Sequence, residues 1–401
     1  MITRATYLSA GLLVLGRCAM PQTVWNVPPL SNIGAVVAAA SPGDILVLST
    51  QGGPGLDYFA FQLIKGVTIR GNGARVGWYG TGTPVAVSIP PGQVAHLHGL
   101  DLTVGVSPLV PPYNFGCVVQ VNGGTVRIES CTFGTYGPVV SIAQADVTLI
   151  NCVVSLAAGA GVSANAARLT MRDCTIAGAS SMCDPHTGCS LIFFPARPAL
   201  ELVSSTLHAE RVTLVGGSHF LSNFVANGAS ALTALNSTVW LADSSLYGGS
   251  SGNGFADPAL ANTGSVPVAM RQVLLVPGSP GGSASAGPVN PNAPLVRMQL
   301  SVPWTRGLTS TLLVAGDPGA PYGLWLAPDT TGSLTGVVQQ PVFATTGVAI
   351  TAGLLNGSGD ASYSVAVPAI PSLLHATVWC QGFSGFQFPL QATTIAGGLV
   401  R

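Results

Sequence analysis

Charged side chains are scarce in this sequence: they make up 7% of 401 residues, with 14 basic against 14 acidic, and Lys65 is the single lysine. That balance leaves no electrostatic footprint for nucleic acid or for an anionic membrane surface. Long apolar runs are missing too. Mean hydropathy is +0.51, yet Gly, Ser, Asn or Pro interrupts every run before it reaches the length of a transmembrane helix. No membrane span is therefore expected in the mature chain. What remains is rich in turn formers, with 51 Gly and 30 Pro, set between short alternating Val, Leu and Ile runs. Such a chain reads as β structure with frequent turns, long enough for two domains.

The first residues read as an export signal over 1–21. "MITR" supplies a positive start, "ATYLSAGLLVLG" a short apolar core, and "RCAMPQ" a region where cleavage could occur. Arg17 beside Cys18 argues against a lipoprotein processing box. The alternative is a buried first strand or helix. Export places the protein outside the cell or on its surface, with its cysteines in an oxidising compartment.

Internal repetition is the strongest signal. "VRIESCTFG", "VTLINCVVS" and "LTMRDCTIAG" follow one another at intervals of about 21 residues. Anchored on the cysteine, one column reads Val67, Leu100, Cys131, Cys152, Cys174, Val212 and Ser244. Apolar columns flank it, and a further column (Val87, Val119, Val140, Val162, Leu200, Leu232) stands upstream. A repeat this short cannot bury its apolar face alone, so successive repeats must stack as parallel strands roughly 4.8 Å apart. The three cysteines are then interior neighbours, suited to the site as small buried hydrophobes. A metal site is not expected there, because no His joins the column.

These features resemble the right-handed parallel β-helix proteins of the pectate-lyase-like superfamily over roughly residues 30 to 280. "SNIGAVVAAASPGDILVLS" looks like an N-terminal capping helix with Ser31 as N-cap, a Pro-Gly-Asp turn and a first strand. "ADPALANTGSVPVAMRQVLLVPGSP" looks like a terminal segment of secreted bacterial members. Asn151, with Asp173 one coil on, falls where such proteins stack asparagines. The resemblance implies architecture. The family's calcium-holding aspartates and paired carboxylates have no matching cluster in this chain.

The polar residues gather on one outward strip. Two residues before the anchor stand Lys65, His98, Glu129, Ile150, Arg172, Glu210 and Ala242; four before it stand Leu63, His96, Arg127, Thr148, Thr170, His208 and Trp240. His96, His98, Glu129 and Arg127 are the candidate catalytic residues, able to shuttle a proton in a polysaccharide lyase or glycoside hydrolase. The structural alternative is an exposed sheet kept soluble by opposite charges stacked across strands.

Segments of unequal length follow the anchor strand and emerge from one edge. They carry Trp78, Tyr79, Tyr113, Phe115 and His219, the candidate ligand-binding residues, and loops on a rigid scaffold are where binding is usually found. In "CDPHTGC", a local disulfide between Cys183 and Cys189 is expected to pin one loop. Residues 281–294 read as a Gly/Pro/Ser linker. Residues 295–401 read as an antiparallel β-sandwich of about seven strands, in which "NGSGDASY" is a turn.

The expected protein is therefore all-β: a signal peptide (1–21), a right-handed parallel β-helix with an N-terminal capping helix (22–280), a linker, and a C-terminal β-sandwich. It is expected to bind a polysaccharide or cell-surface glycan that is neutral, without cofactor or metal. A carbohydrate-active enzyme and a non-catalytic adhesive spacer are the alternatives.

Overall fold

The structure is a computed structural model that describes residues 23–53, 55–79, 83–105, 117–134, 139–155, 159–180, 195–219, 227–252, 256–291, 297–301, 304–327, 348–370, 373, 377–385, 391–392 and 396–400. The signal segment 1–21 lies outside the described residues. The chain divides into two compact units, 22–292 and 293–401, the second joined in the division by residues 1–21.

The larger unit is a parallel β-solenoid with three strands to a coil. One coil runs Val119–Asn122, Thr125–Glu129 and Thr132–Gly134; the next runs Val140–Ala143, Asp146–Ile150 and Val153–Ser155, in register with the first on all three faces. The strands of the first face form one nine-stranded sheet, and those of the second and third faces are joined into one of eighteen strands. Alternation decides which side chains are inside. Along Thr125–Glu129, Val126 and Ile128 point inward and are fully buried, while Thr125, Arg127 and Glu129 point outward.

The first corner spans residues 64–67, 88–93 and 263–267 in three coils; in the coils from Val119 to Leu246 the first two corners are both two-residue turns. The first residue of such a turn adopts the left-handed conformation at Ser130, Asn151, Asp173, Arg211, Asp243 and Gln272, with φ between 49° and 54°, and again at Gln144, Ala166, Ser204 and Asn236. This conformation costs an L-residue about 1–2 kcal/mol. Stacked hydrogen bonds offset that cost. Ser130 N–H donates to Ile150 O at 2.9 Å, Asn151 N–H to Arg172 O at 2.9 Å, and the Asn151 amide reaches Ser130 Oγ at 3.2 Å.

The second residue of the turn between the second and third faces forms the interior column, and Leu100, Cys131, Cys152, Cys174, Val212 and Ser244 are all buried in it. The first coil corrects the expected register. Arg75 pairs with Asp101, so Ala74 fills the anchor position, whereas Val67 is a buried residue beside Ala95. The ladder shifts between Arg70 and Ala74, across Gly71, Asn72 and Gly73. Lys65 consequently leaves the outward strip, where Arg70 replaces it. The Lys65 ammonium instead donates to Ala38 O (2.6 Å) and Ala40 O (2.9 Å) at the C-terminal end of the helix Ile33–Ala39. That helix buries Ile33 and Val37 in the solenoid core, and its N-cap is Asn32 rather than Ser31: Asn32 Oδ1 accepts from Ala35 N–H at 3.1 Å.

The expected linker is a second correction. Within 281–294, Ser285–Ala286 pairs with Leu260–Ala261 and Val289–Asn290 with Val268–Ala269, so this stretch closes the solenoid. The smaller unit holds two antiparallel sheets. One is Arg297–Leu300, Thr309–Ala315 and Asp360–Ala366; the other is built on Pro321–Ala327, Val348–Leu354 and Thr377–Ser384. Met298, Trp304, Leu312, Leu324 and Cys380 share one buried cluster drawn from both sheets. Asn356 Oδ1 accepts from the N–H groups of Ser358 (2.9 Å) and Asp360 (2.8 Å), which makes "NGSGDASY" a side-chain-braced turn.

Candidate functional site

The second face differs from the other two in its outward side chains. On the third face Thr132, Val153, Ser155, Thr175 and Val215 are exposed, and on the first face Asn122 and Asn165 are. On the second face the central outward column runs through His96, Arg127, Thr148, Thr170 and His208, and every one of these is buried. The central column of the expected charge strip is therefore buried from His96 to His208, while Trp240 at its end and His98, Glu129 and Arg172 beside it are half-buried. Alternation fixes its direction, pointing away from the solenoid interior.

Registry brings the four proposed catalytic residues together. His96 pairs with Arg127 and His98 with Glu129, while Arg70 flanks His98 from the coil before. His96 Nε2 lies 3.4 Å from Glu129 Oε2, and the two imidazoles meet edge-on with centroids 6.0 Å apart. His96 Nδ1 finds no hydrogen-bond partner among the described residues. Burial holds the His96 imidazole below its ordinary pKa; Glu129 pulls it up, and Arg127 and Arg70 push it down. At neutral pH the group is thus an uncharged imidazole beside a carboxylate. Such a pair can relay a proton, but His96 and Arg127, each 3% exposed, offer little surface to a polymer.

Further along the face the charges are paired. Arg168 Nη2 meets Asp146 Oδ2 at 3.2 Å. At the adjoining turn Arg211 clasps Asp173 with Nε–Oδ1 at 2.6 Å and Nη2–Oδ2 at 3.0 Å, contacts Glu210, and is joined by Arg172 Nε at 3.2 Å from Asp173. Burial alone would raise Asp173, but these guanidinium contacts hold it below its usual range. His208 packs between Thr170 and Trp240, and burial holds its imidazole down at about 4.

The interior thiols do not all shift one way: burial raises Cys152 well above its ordinary range, while the hydrogen bond with Cys152 lowers Cys174. Cys131, Cys152 and Cys174 are free and buried, and burial pushes the Cys131 thiol up to about 12. Their S–H groups lie near backbone carbonyls, Cys152 Sγ at 3.3 Å from Ile150 O and Cys174 Sγ at 3.2 Å from Arg172 O. Ser244 does the same in the same column, 2.6 Å from Ala242 O.

The third corner carries the variation in length. Between the third strand and the next first strand the chain spends residues 135–139 and 156–161 in two coils, but 178–199, 216–231 and 248–259 in others. The bases of the longer segments remain in register. Gly178 N–H donates to Val215 O and Gly216 N–H to Tyr247 O, both at 2.8 Å, and the returning Ala229 N–H donates to Gly217 O at 2.8 Å. Glycine permits this close stacking, and composition alone did not reveal that need. Trp78 and Tyr79 lie on the strand Thr68–Tyr79, paired with Val104 and Gly105 of the next coil. Tyr113, Phe115, Cys183 and Cys189 lie outside the described residues. His219 is fully buried and bridges to Ser251 at the base of its segment, its N–H donating to Ser250 O at 2.7 Å.

Among the described residues no group of three or more His, Cys, Asp or Glu side chains could hold a metal ion, and no helix is long and apolar enough to cross a membrane. No protein-family model, no curated protein and no solved structure matches the chain.

Proposed function

We propose that the chain is an exported protein of the right-handed, pectate-lyase-like β-helix kind that acts outside the cell, binding neutral glycans through the segments inserted at its third corner. One observation carries this reading. From Val119 to Leu246 two corners are held to two-residue turns, while the third spans residues 135–139 in one coil and 178–199 in another, with the strands on either side stacked in register. The aromatic residues that the sequence places in those segments, with Trp78 and Tyr79 at the end of a strand, are the candidates for stacking on sugar rings. The low charge content makes the ligand uncharged. The lyase or hydrolase reading of His96, His98, Glu129 and Arg127 has the His96–Glu129 contact in its favour, but the burial of that column favours binding without turnover.

The test is a binding screen of the purified protein against soluble neutral and acidic polysaccharides at low and high salt, with reducing ends and unsaturated products assayed in parallel. The expected result is salt-insensitive binding to a neutral polymer without product, weakened by joint replacement of Trp78 and Tyr79 with Ala while the melting temperature stays within a few degrees. Failure to bind any neutral polymer would leave the adhesive-spacer reading standing. Product that disappears in His98→Ala would establish the enzymatic one.

A further inference from the structure

We infer that Cys131, Cys152 and Cys174 form a ladder of sulfurs in which Cys152, paired with either neighbour, holds a soft monovalent cation of the Cu(I) kind in two-coordinate, linear geometry. The inference is independent of the glycan reading. Register places the three cysteines on successive rungs, since Glu129, Ile150 and Arg172 pair before them and Thr132, Val153 and Thr175 after them. Their thiols also share one orientation. Each lies near the carbonyl two residues back in its own coil, Glu129 O at 3.4 Å, Ile150 O at 3.3 Å and Arg172 O at 3.2 Å. Each also lies near the corresponding carbonyl of the coil before, Leu97 O at 3.8 Å, Ile128 O at 3.4 Å and Leu149 O at 3.5 Å. One repeated side-chain geometry makes the sulfurs recur at the rung spacing, roughly 4.8 Å.

That separation selects the chemistry. A disulfide needs sulfurs about 2.05 Å apart and β-carbons about 3.8 Å apart, so in-register neighbours cannot close one without shifting a rung. Two thiolate–metal bonds of about 2.3 Å in line span about 4.6 Å, close to the spacing the ladder already has. An ion between two of these sulfurs therefore requires little movement of the coils. Among the described residues no group of three ligands converges here, which excludes the tetrahedral set that zinc takes and suits a soft ion satisfied by two sulfurs. Charge agrees with this choice. A monovalent ion that displaces one S–H proton binds one thiolate and one thiol and leaves the pair uncharged, as an apolar interior demands. Cys152 and Cys174 already share a hydrogen bond across the gap such an ion fills. All three cysteines are at most 1% exposed, so the ion enters as the coils stack, and loading is coupled to folding.

The experiment unfolds the full chain and refolds it under nitrogen with Cu(I) buffered by bicinchoninate, then measures the copper retained. Three single variants separate a paired site from general thiol binding, because each removes one ladder thiol. Cys131→Ser keeps Cys152 beside Cys174, and Cys174→Ser keeps Cys131 beside Cys152, whereas Cys152→Ser leaves sulfurs two rungs, roughly 9.6 Å, apart. Thiols outside the ladder are common to all four proteins, so differences among them report the ladder. The expected result is that the parent and both outer variants take copper from the chelator, while Cys152→Ser binds it roughly ten-fold or more weakly. Equal copper in all four proteins, equal loss in all three variants, or no copper in the parent would overturn the site. Should Cys152→Ser fail to refold, the parent decides: loading should raise its urea midpoint, and an unchanged midpoint would overturn the site as well.

Discussion

A Cβ placed on Gly217 would lie 1.6 Å from the carbonyl oxygen of Ala179, the residue at the same corner of the preceding coil. Gly249 repeats the relationship one coil on, where a Cβ would fall 1.8 Å from Gly217 O. Backbone stacks directly on backbone at the base of the insertions, which lets segments of different length leave the scaffold without disturbing its rungs.

Gly217→Ala is accordingly expected to destabilise the solenoid by about 3 kcal/mol, at the upper end of ordinary overpacking, because the obstacle is main chain that cannot rotate away. Gly53→Ala, where a Cβ meets nothing within 4 Å, should be nearly neutral. Urea unfolding of the two variants checks the contrast; equal stability would show that the corner is not close-stacked.

The cysteine column should accept a hydroxyl but reject a charge. Cys152→Ser copies the arrangement already present at Ser244 and is expected to cost about 1 kcal/mol or less. Cys174→Asp buries a carboxylate without a counter-ion and should unfold the unit, or cost several kcal/mol. In the native protein Cys131, Cys152 and Cys174 should resist an aromatic disulfide reagent until denaturant is added. Rapid labelling in native buffer would contradict their burial.

Acid should weaken the second face. The folded-state pKa of His208 is about 4 against an ordinary 6.5, so the unfolded chain takes up the proton first. The stability this group contributes is complete above pH 6.5 and is lost as pH falls toward 4, a change on the order of 3 kcal/mol. His96, also held down by burial, acts in the same direction. His208→Phe should flatten that part of the stability profile between pH 7 and 4. An unaltered profile would mean that His208 is not enclosed as a neutral imidazole.

Much of the solenoid was legible because a buried column repeats in sequence whenever coils have equal length. The spacing of Cys131, Cys152 and Cys174 located the interior and the adjacency of His98 to Glu129. The first coil misled because Gly71, Asn72 and Gly73 add residues at a turn, moving the anchor from Val67 to Ala74. The last coil was hidden for a different reason: "GGSASAGPVN" has few side chains to show periodicity, yet its backbone pairs. Gly287 holds φ at +86°, and a Cβ there would strike Asn262 O at 1.8 Å, so glycine is what closure requires. The burial of His96, Arg127 and His208 was not readable. Alternation tells which way a side chain points, and nothing in a two-residue period tells whether its outer side is covered.

The central claim is that the third-corner insertions bind glycan. Affinity electrophoresis in gels containing the neutral polysaccharides tests it most directly, comparing the parent with a variant whose residues 178–199 are replaced by the short segment LAAGAG that spans 156–161. The account predicts that the parent is retarded in at least one neutral polymer, and that the short-corner variant unfolds cooperatively but migrates as in a gel without polymer. A parent that is never retarded, or a short-corner variant retarded as strongly as the parent, would contradict it.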